Sequence, residues 1–135
     1  MPLSIEEALA RVPQWNGKQD IQTSILSGGI TNQNFKVQVD GEAFVLRIGG
    51  ENTELLGVNR EVEYACSVEA AKIGISPDVI YHIEPEHYLV TRFIEGTGIS
   101  PEEIGQPENI RRIMQTLTKI HALPRYRWNS MRFVM

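Results

Sequence analysis

The fold of this chain is decided by residues 24–48, SILSGGITNQNFKVQVDGEAFVLRI. The parts NFKVQV and AFVLRI are rich in β-branched and aromatic residues, which predicts two strands, and Asp40-Gly41 between them is typical of a tight hairpin turn. In the second of these strands Phe44 and Leu46 share one face, because successive side chains of a strand point to opposite sides. The apolar run IQTSILS just before them predicts another strand, and so an antiparallel meander.

The rest of the chain predicts three helices and two more strands. The run SIEEALARV predicts a first helix with Ser4 as its N-cap, and VNREVEYACSVEAAKIG predicts a second, with Asn59 as N-cap and Gly74 at its C-terminal end. SPDVIYHI and HYLVTRFI predict strands on either side of a polar turn, and PENIRRIMQTLTKIHAL predicts a last helix. The order α-β-β-β-α-β-β-α predicts an α+β fold with one helix packed on a five-stranded antiparallel sheet.

Length, charge and composition exclude several classes of protein. A chain of 135 residues forms one domain at most, and its net charge of −4 argues against nucleic acid as a partner. No apolar run can span a bilayer and the N-terminus has no signal-peptide pattern, so we expect a cytoplasmic protein with no membrane partner.

The single cysteine, Cys66, lies in a helical pattern and is expected to be a small core residue. The histidines have no Cys or carboxylate cluster at ligand spacing, so we expect no metal site.

The segment SGGITNQN, residues 27–34, has two interpretations that its spacing leaves open. Paired glycines allow the backbone to approach a ligand closely, and successive N–H groups in such a loop can bind phosphate oxygens. The Ser, Thr and Asn side chains add further hydrogen-bond donors. The alternative is a slightly long hairpin loop built from residues that favour turns.

Arg47 and the acids of the following helix form a second candidate group. Arg47 lies on the strand face opposite Leu46, and its planar guanidinium suits a phosphate or a carboxylate; the alternative is a solvated arginine at an edge. Glu61 and Glu63 project about 200° apart on a helix, so only one of them can face the sheet and bind Arg47. The alternative is that both are exposed acids favoured by the helix dipole.

Together these segments resemble the N-terminal lobe of choline/ethanolamine kinases, within the aminoglycoside-phosphotransferase-like group that has the protein-kinase-like fold. LSGGITNQNFKV resembles the phosphate-covering hairpin of that family, FVLRI its third strand and NREVE the start of its regulatory helix. GISPDVIY and YLVTRFIEG resemble the next strands and the hinge between lobes, and LTKIHAL resembles the helix that opens the second lobe. The resemblance implies a kinase-like N-lobe over residues 1–95, then the hinge exit and first helix of a truncated C-lobe over residues 96–135.

The resemblance also implies an ATP site and a role for each of its residues. Arg47 takes the place of the kinase lysine and contacts the α- and β-phosphates, with Glu63 as its partner and Glu61 outside. The hinge offers backbone groups to adenine. The implied reaction transfers the γ-phosphoryl group of ATP, with Mg²⁺, to the hydroxyl of a small amino alcohol. The residues implied to bind the nucleotide are Gly28, Gly29, Thr31, Asn32, Asn34, Arg47, Glu63, Arg92, Phe93 and Ile94.

The sequence departs from the family after His121. The HxDxxxxN catalytic loop and the later Asp-containing metal motif, which supply the catalytic groups and the Mg²⁺ ligands, do not occur in these 135 residues. We therefore expect no catalytic residue and no turnover from this chain alone.

The missing motifs leave several interpretations. The first is a fragment of a choline/ethanolamine-type kinase. The alternatives are a fragment of an aminoglycoside- or thiamine-type kinase, a non-catalytic nucleotide-binding or interaction module, and a purely structural domain. Without a second lobe, Ile113, Leu117 and Ile120 would lack their cover, so we expect dimerisation or poor solubility.

Overall fold

The computed structural model describes residues 3–27, 32–50, 55 and 57–123. Within these residues lie helices, a short 3₁₀ helix and strands. The helices are α1 (Ile5–Ala10), α2 (Arg60–Lys72), α3 (Pro101–Ile104) and α4 (Pro107–His121), with the 3₁₀ helix at Pro13–Trp15. The strands are β1 (Ile21–Leu26), β2 (Asn32–Val39), β3 (Glu42–Gly49), β4 (Val79–Ile83) and β5 (Tyr88–Arg92).

The strands form one antiparallel five-stranded sheet in the order β1-β2-β3-β5-β4. The β2–β3 hairpin turns at Asp40 and Gly41, whose φ angles of 51° and 81° suit the tight turns that match the twist of paired strands. β2 begins at Asn32, two residues before the predicted NFKVQV strand, and pairs there with Gly49 at the end of β3. The predicted sheet and its hairpin turn are therefore confirmed.

The hydrophobic core lies on one face of this sheet. Phe44 and Leu46 of β3 belong to a buried cluster with Ala8, Val12 and Trp15 from α1 and the 3₁₀ helix. The rings of Trp15 and Phe44 have centroids 5.4 Å apart. The prediction of a single packed helix was too simple, because the amphipathic N-terminal segment folds back onto the sheet and buries its apolar side there.

Helix α2 has the two ends that the sequence predicts. The Asn59 side chain accepts a hydrogen bond from the Val62 N–H, which satisfies one of the free donors at the N-terminus. At the other end, Gly74 has a φ of 73°, and its N–H and that of Ile75 donate to carbonyl groups of the last turn. A left-handed glycine in this position is a common way to end a helix.

The expectation that Cys66 is a core residue is wrong, because its side chain is exposed. Helix α2 meets the sheet at β4, where the rings of Tyr64 and His82 stack with centroids 4.2 Å apart. Cys66 follows Tyr64 by two residues and so projects about 200° away from it around the helix. The apolar periodicity located the helix correctly, but it overestimated how much of the helix the sheet covers.

Helices α3 and α4 belong to a second compact unit, Thr97–Met135, which follows the unit Met1–Gly96. The four-residue α3 was not predicted; it has a capping box in which Ser100 and Glu103 bond each other's backbone N–H groups. These bonds, first the one from the Ser100 N–H, lower the pKa of the Glu103 carboxyl.

Along α4, Ile113, Leu117 and Ile120 are 38–40% exposed. The dimerisation or poor solubility expected from these residues stays a prediction. Of the helices in the described residues, none has the length and apolar character to cross a membrane.

Candidate functional site

The sheet face opposite the core carries polar and charged side chains, and we call it the charged face. In the β2–β3 register Asn34 pairs with Arg47 and Lys36 with Val45, and Val45 pairs in turn with Thr91 of β5. Residues directly opposite each other on paired strands share a face. The charged face is therefore formed by Asn34, Lys36, Val45, Arg47 and Thr91.

Arg47 and Glu63 form the ion pair expected of them. The distance from Arg47 Nη2 to Glu63 Oε1 is 2.6 Å, and the two side chains are 30% and 27% exposed. A partly buried, charge-assisted hydrogen bond of this length fixes the guanidinium more firmly than a fully exposed pair would. Glu61 is exposed, as predicted. Helix α2 thus presents one carboxylate to β3.

Arg60 is a member of this group that the sequence analysis missed. Its Nη1 atom lies 2.6 Å from Glu63 Oε2, so the carboxylate of Glu63 is held between two guanidiniums. A Cβ atom at Gly49 would come within 3.0 Å of Arg60 Nη2, so the glycine makes room for this side chain. The signal was present in the sequence, because NREVE places Arg60 and Glu63 three residues apart on one side of a helix.

Two asparagines of β2 border this ion-pair group. Asn34 lies directly opposite Arg47, and Asn32 lies opposite Gly49, beside which the Arg60 guanidinium packs. The Asn32 Oδ1 atom is buried and accepts a hydrogen bond from none of the described residues. An unpaired buried acceptor is costly, so a ligand that donates a hydrogen bond here would be stabilised.

Lys36 is a second residue that the sequence analysis missed. Its Nζ atom lies 4.2 Å from the centroid of the Phe93 ring, within range of a cation–π interaction. Lys36 follows Asn34 by two residues in a strand, so the alternation of side chains alone places both on the face of Arg47. The predicted site residue Phe93 therefore contacts the charged face through its ring.

The other predicted hinge residues are placed differently. The Arg92 side chain lies on the core side of the sheet, with its guanidinium 6.0 Å from the Phe44 ring and Nη1 3.1 Å from Glu42 Oε1. The backbone N–H groups of Arg92 and Phe93 donate to the carbonyls of Asp78 and Ala43. These two donors are already used within the sheet, so hinge donors for a ligand could come only from Ile94 onward.

Three predicted site residues, Gly28, Gly29 and Thr31, lie outside the described residues. The flanking strands are described, and Leu26 of β1 pairs with Asn34 of β2. Asn34 lies opposite Arg47 in turn, so the two strands that flank the glycine-rich segment in sequence are paired beside β3.

Two histidines and a glutamate cluster at the turn between β4 and β5, although the sequence shows no such cluster of metal ligands around its histidines. The polar turn between β4 and β5 brings His82 Nε2 within 3.3 Å of His87 Nδ1. With the carboxylate of Glu84, one possible ligand atom from each residue lies within 4.8 Å of the others. The spacing on the chain concealed this cluster, because only strand pairing closes the turn. Burial first, and then His87, lowers the pKa of His82.

Comparison with known proteins shows to which family the chain belongs. The family model for choline/ethanolamine kinase matches residues 23–135. The chain belongs to the choline/ethanolamine kinase family. Among its curated relatives, ethanolamine kinase 2 of Mus musculus is 29% identical over 114 residues, which is 82% of this chain and 29% of the relative. This chain therefore spans less than a third of that relative's length.

Two solved structures of the family resemble the structure of this chain. One is a choline/ethanolamine kinase family protein from Mesorhizobium loti, which is 32% identical with a TM-score of 0.65 over 85% of this chain and 36% of that one. The other is a choline kinase from Cryptosporidium parvum, with a TM-score of 0.65 over 95% of this chain and 35% of that one. The second is only 19% identical and shows the fold alone. The kinase-like fold predicted from the sequence is confirmed.

Proposed function

We propose that the charged face binds ATP and that this chain carries the ATP-binding elements of a choline/ethanolamine-type kinase. Such an enzyme transfers the γ-phosphoryl group of ATP to the hydroxyl of a small amino alcohol. The observation that carries the proposal is the Arg47–Glu63 pair of 2.6 Å, in which a helix holds a strand arginine in place.

The charges on this face suit a polyphosphate. Arg47 and Arg60 both bind the carboxylate of Glu63, and Lys36 lies on the same face of the sheet as Arg47. Three cationic side chains are therefore grouped on one part of a chain whose net charge is −4. Because phosphate oxygens accept hydrogen bonds and carry negative charge, a fork of guanidinium donors is a favourable partner for them.

Each side chain then has a distinct task in binding. Arg47 donates hydrogen bonds to phosphate oxygens, and Glu63 orients the guanidinium that does so. Arg60 restrains Glu63 from the other side. In phosphoryl transfer most of the catalysis comes from positioning and from neutralising charge, so a preformed pair lowers the cost of ordering the bound nucleotide.

The charged face does not fit a Mg²⁺ site. Magnesium prefers carboxylate and water oxygens in octahedral geometry, and the Glu63 carboxylate is already bound by two guanidiniums. We place the Mg²⁺ ligands and the catalytic aspartate outside these 135 residues. Our proposal includes a cytoplasmic location, where ATP is available and the free thiol of Cys66 stays reduced.

Nucleotide binding is the direct test of this proposal. We expect ATP to bind in a calorimetric titration and the Arg47→Ala variant to bind at least about tenfold more weakly, because a charge-assisted hydrogen bond is lost. The matched control is Arg92→Ala, which removes a strand arginine from the core side of the sheet and should leave ATP affinity unchanged. Equal ATP affinity in Arg47→Ala and the unmodified chain would sink the proposal, as would absence of binding at millimolar ATP.

Turnover is a separate measurement. With ATP, Mg²⁺ and either choline or ethanolamine, we expect the chain alone to form no phosphorylated product, because the HxDxxxxN segment is absent from it. Product above the level given by Arg47→Ala would show that the catalytic groups are present after all. The ATP-binding proposal does not depend on this outcome.

A further inference from the structure

The turn between β4 and β5 assembles imidazole and carboxylate groups that are distinct from the charged residues that we assign to ATP. His82 lies one residue before the end of β4, Glu84 lies in the turn, and His87 immediately precedes β5. The His87 backbone has a φ of 57°, and its Nδ1 atom lies 3.3 Å from His82 Nε2. Two ring nitrogens therefore face each other across a short hairpin.

This separation is the one that two ligands of a tetrahedral metal ion require. With Zn–N bonds of about 2.05 Å and a tetrahedral angle, two coordinating nitrogens lie about 3.3 Å apart. The two ring nitrogens therefore already have the spacing of two ligands of one ion. In its absence the same contact is a hydrogen bond between one protonated and one unprotonated nitrogen.

Glu84 completes a set of ligands on the same turn. Its side chain is 72% exposed and Oε1 lies 3.7 Å from His82 Nδ1, so it is free to rotate toward the ring nitrogens. Arg11 does not neutralise it, because its Nη1 donates to the Glu84 carbonyl and to the Glu86 carboxylate. The nearby acid Glu61 adds negative charge that favours a cation.

We propose that His82, Glu84 and His87 form a binding site for a divalent transition-metal ion of the Zn²⁺ type, with water in the remaining position. Two imidazoles and a carboxylate are a known ligand set for zinc, whereas Mg²⁺ and Ca²⁺ prefer oxygen ligands alone. The proposal stands independently of ATP binding, since it uses none of the residues that we assign to the nucleotide.

The surroundings of the cluster indicate what the ion would do. His82 stacks on Tyr64 of α2 with ring planes 9° apart, and Tyr64 is next to Glu63 in sequence. An ion bound to both His82 and His87 would hold the His82 ring in place and link the two ends of the β4–β5 turn. It would thereby stabilise the contact between β4 and α2. We therefore assign the site a structural role.

The test uses Zn²⁺ itself with the purified, untagged 135-residue chain. We expect one Zn²⁺ per chain by calorimetry, and at tenfold excess over the dissociation constant a rise in Tm of about 4 °C. Co²⁺ should give the visible absorption typical of a tetrahedral site, and Mg²⁺ should give neither change.

His87→Asn is the main variant, because asparagine tolerates the left-handed backbone that His87 adopts. It should lose the cobalt absorption and weaken Zn²⁺ binding by at least about tenfold.

Two control variants separate this site from incidental metal binding. His121→Asn removes a histidine of α4, and Cys66→Ser removes the free thiol; both should bind Zn²⁺ like the unmodified chain. Glu84→Gln should weaken Zn²⁺ binding while leaving the fold intact, as judged by circular dichroism. The proposal is overturned if Zn²⁺ changes neither the heat signal nor Tm. It also fails if His87→Asn and Glu84→Gln both bind as tightly as the unmodified chain.

Discussion

The two faces of the sheet differ in burial and chemistry although they are made from the same strands. On β3, Leu46 is fully buried, whereas the side chain of the next residue, Arg47, is 30% exposed and paired with Glu63. The core face is covered by α1 and the 3₁₀ helix, while the charged face meets α2 through an ion pair. If the charged face binds ATP as proposed, we expect that substitutions at neighbouring residues change stability and binding almost independently.

The largest effect is expected on the core face. Leu46→Ala should lower the free energy of unfolding by about 3 kcal/mol, since it removes buried methyl groups and leaves a cavity. Val45→Ala, on the other face of the same strand, should cost about 1 kcal/mol because Val45 is only partly buried. Denaturant titration of both variants measures the difference. If both variants lost the same free energy of unfolding, the core face and the charged face would not differ in how tightly their side chains pack.

An intermediate effect is expected at Glu63, which we regard as a positioning residue for Arg47. Glu63→Gln should weaken ATP binding about three- to tenfold, because the neutral amide holds the guanidinium less firmly. Glu61→Gln, an exposed change on the same helix, is the control and should have no effect.

A double-mutant cycle distinguishes positioning from a structural role of Glu63. In the Arg47→Ala background, Glu63→Gln should weaken ATP binding no further, because the group that it orients is gone. Additive losses of affinity in the double variant would contradict the assignment.

The smallest effect is expected from the helix caps, which form a matched pair. Asn59→Ala and Ser4→Ala should each lower the free energy of unfolding by about 0.5–1 kcal/mol, because each removes an N-cap hydrogen bond. Only Asn59→Ala should also weaken ATP binding, since it loosens the first turn of α2, which carries Glu63. If both caps changed ATP affinity equally, the charged face would not depend on α2 in the way proposed.

Much of the fold could be predicted from local patterns. The Asp40-Gly41 turn, the caps of α2 and the alternation along β3 are each set by a few neighbouring residues, and the structure has all of them. The 3₁₀ helix and α3 were missed because each is about one turn long, too short to show a period. Cys66 was misplaced because helical periodicity marks an apolar side but not how much of it another element covers.

Some residues of the candidate site could also be predicted from their spacing in the sequence. Spacing along α2 indicated that only one of Glu61 and Glu63 can face the sheet, and the family resemblance implied that this one is Glu63. Arg60 and Lys36 could have been found by the same reasoning, since one lies three residues before Glu63 and the other two residues after Asn34. The Arg92 side chain could not be placed, because the pairing of β5 with β3 decides which face it joins.

By itself, the sequence determined the order of strands and helices, the hairpin turn and the residues that bear charge near the glycine-rich segment. These follow from interactions within a few residues, where steric limits and hydrogen bonding leave few choices. Only the tertiary structure decided that α1 covers the core face, that Lys36 meets the Phe93 ring, and that the Arg92 side chain lies on the core side of the sheet. Such contacts depend on strand pairing and side-chain packing between segments distant in sequence, which no local pattern encodes.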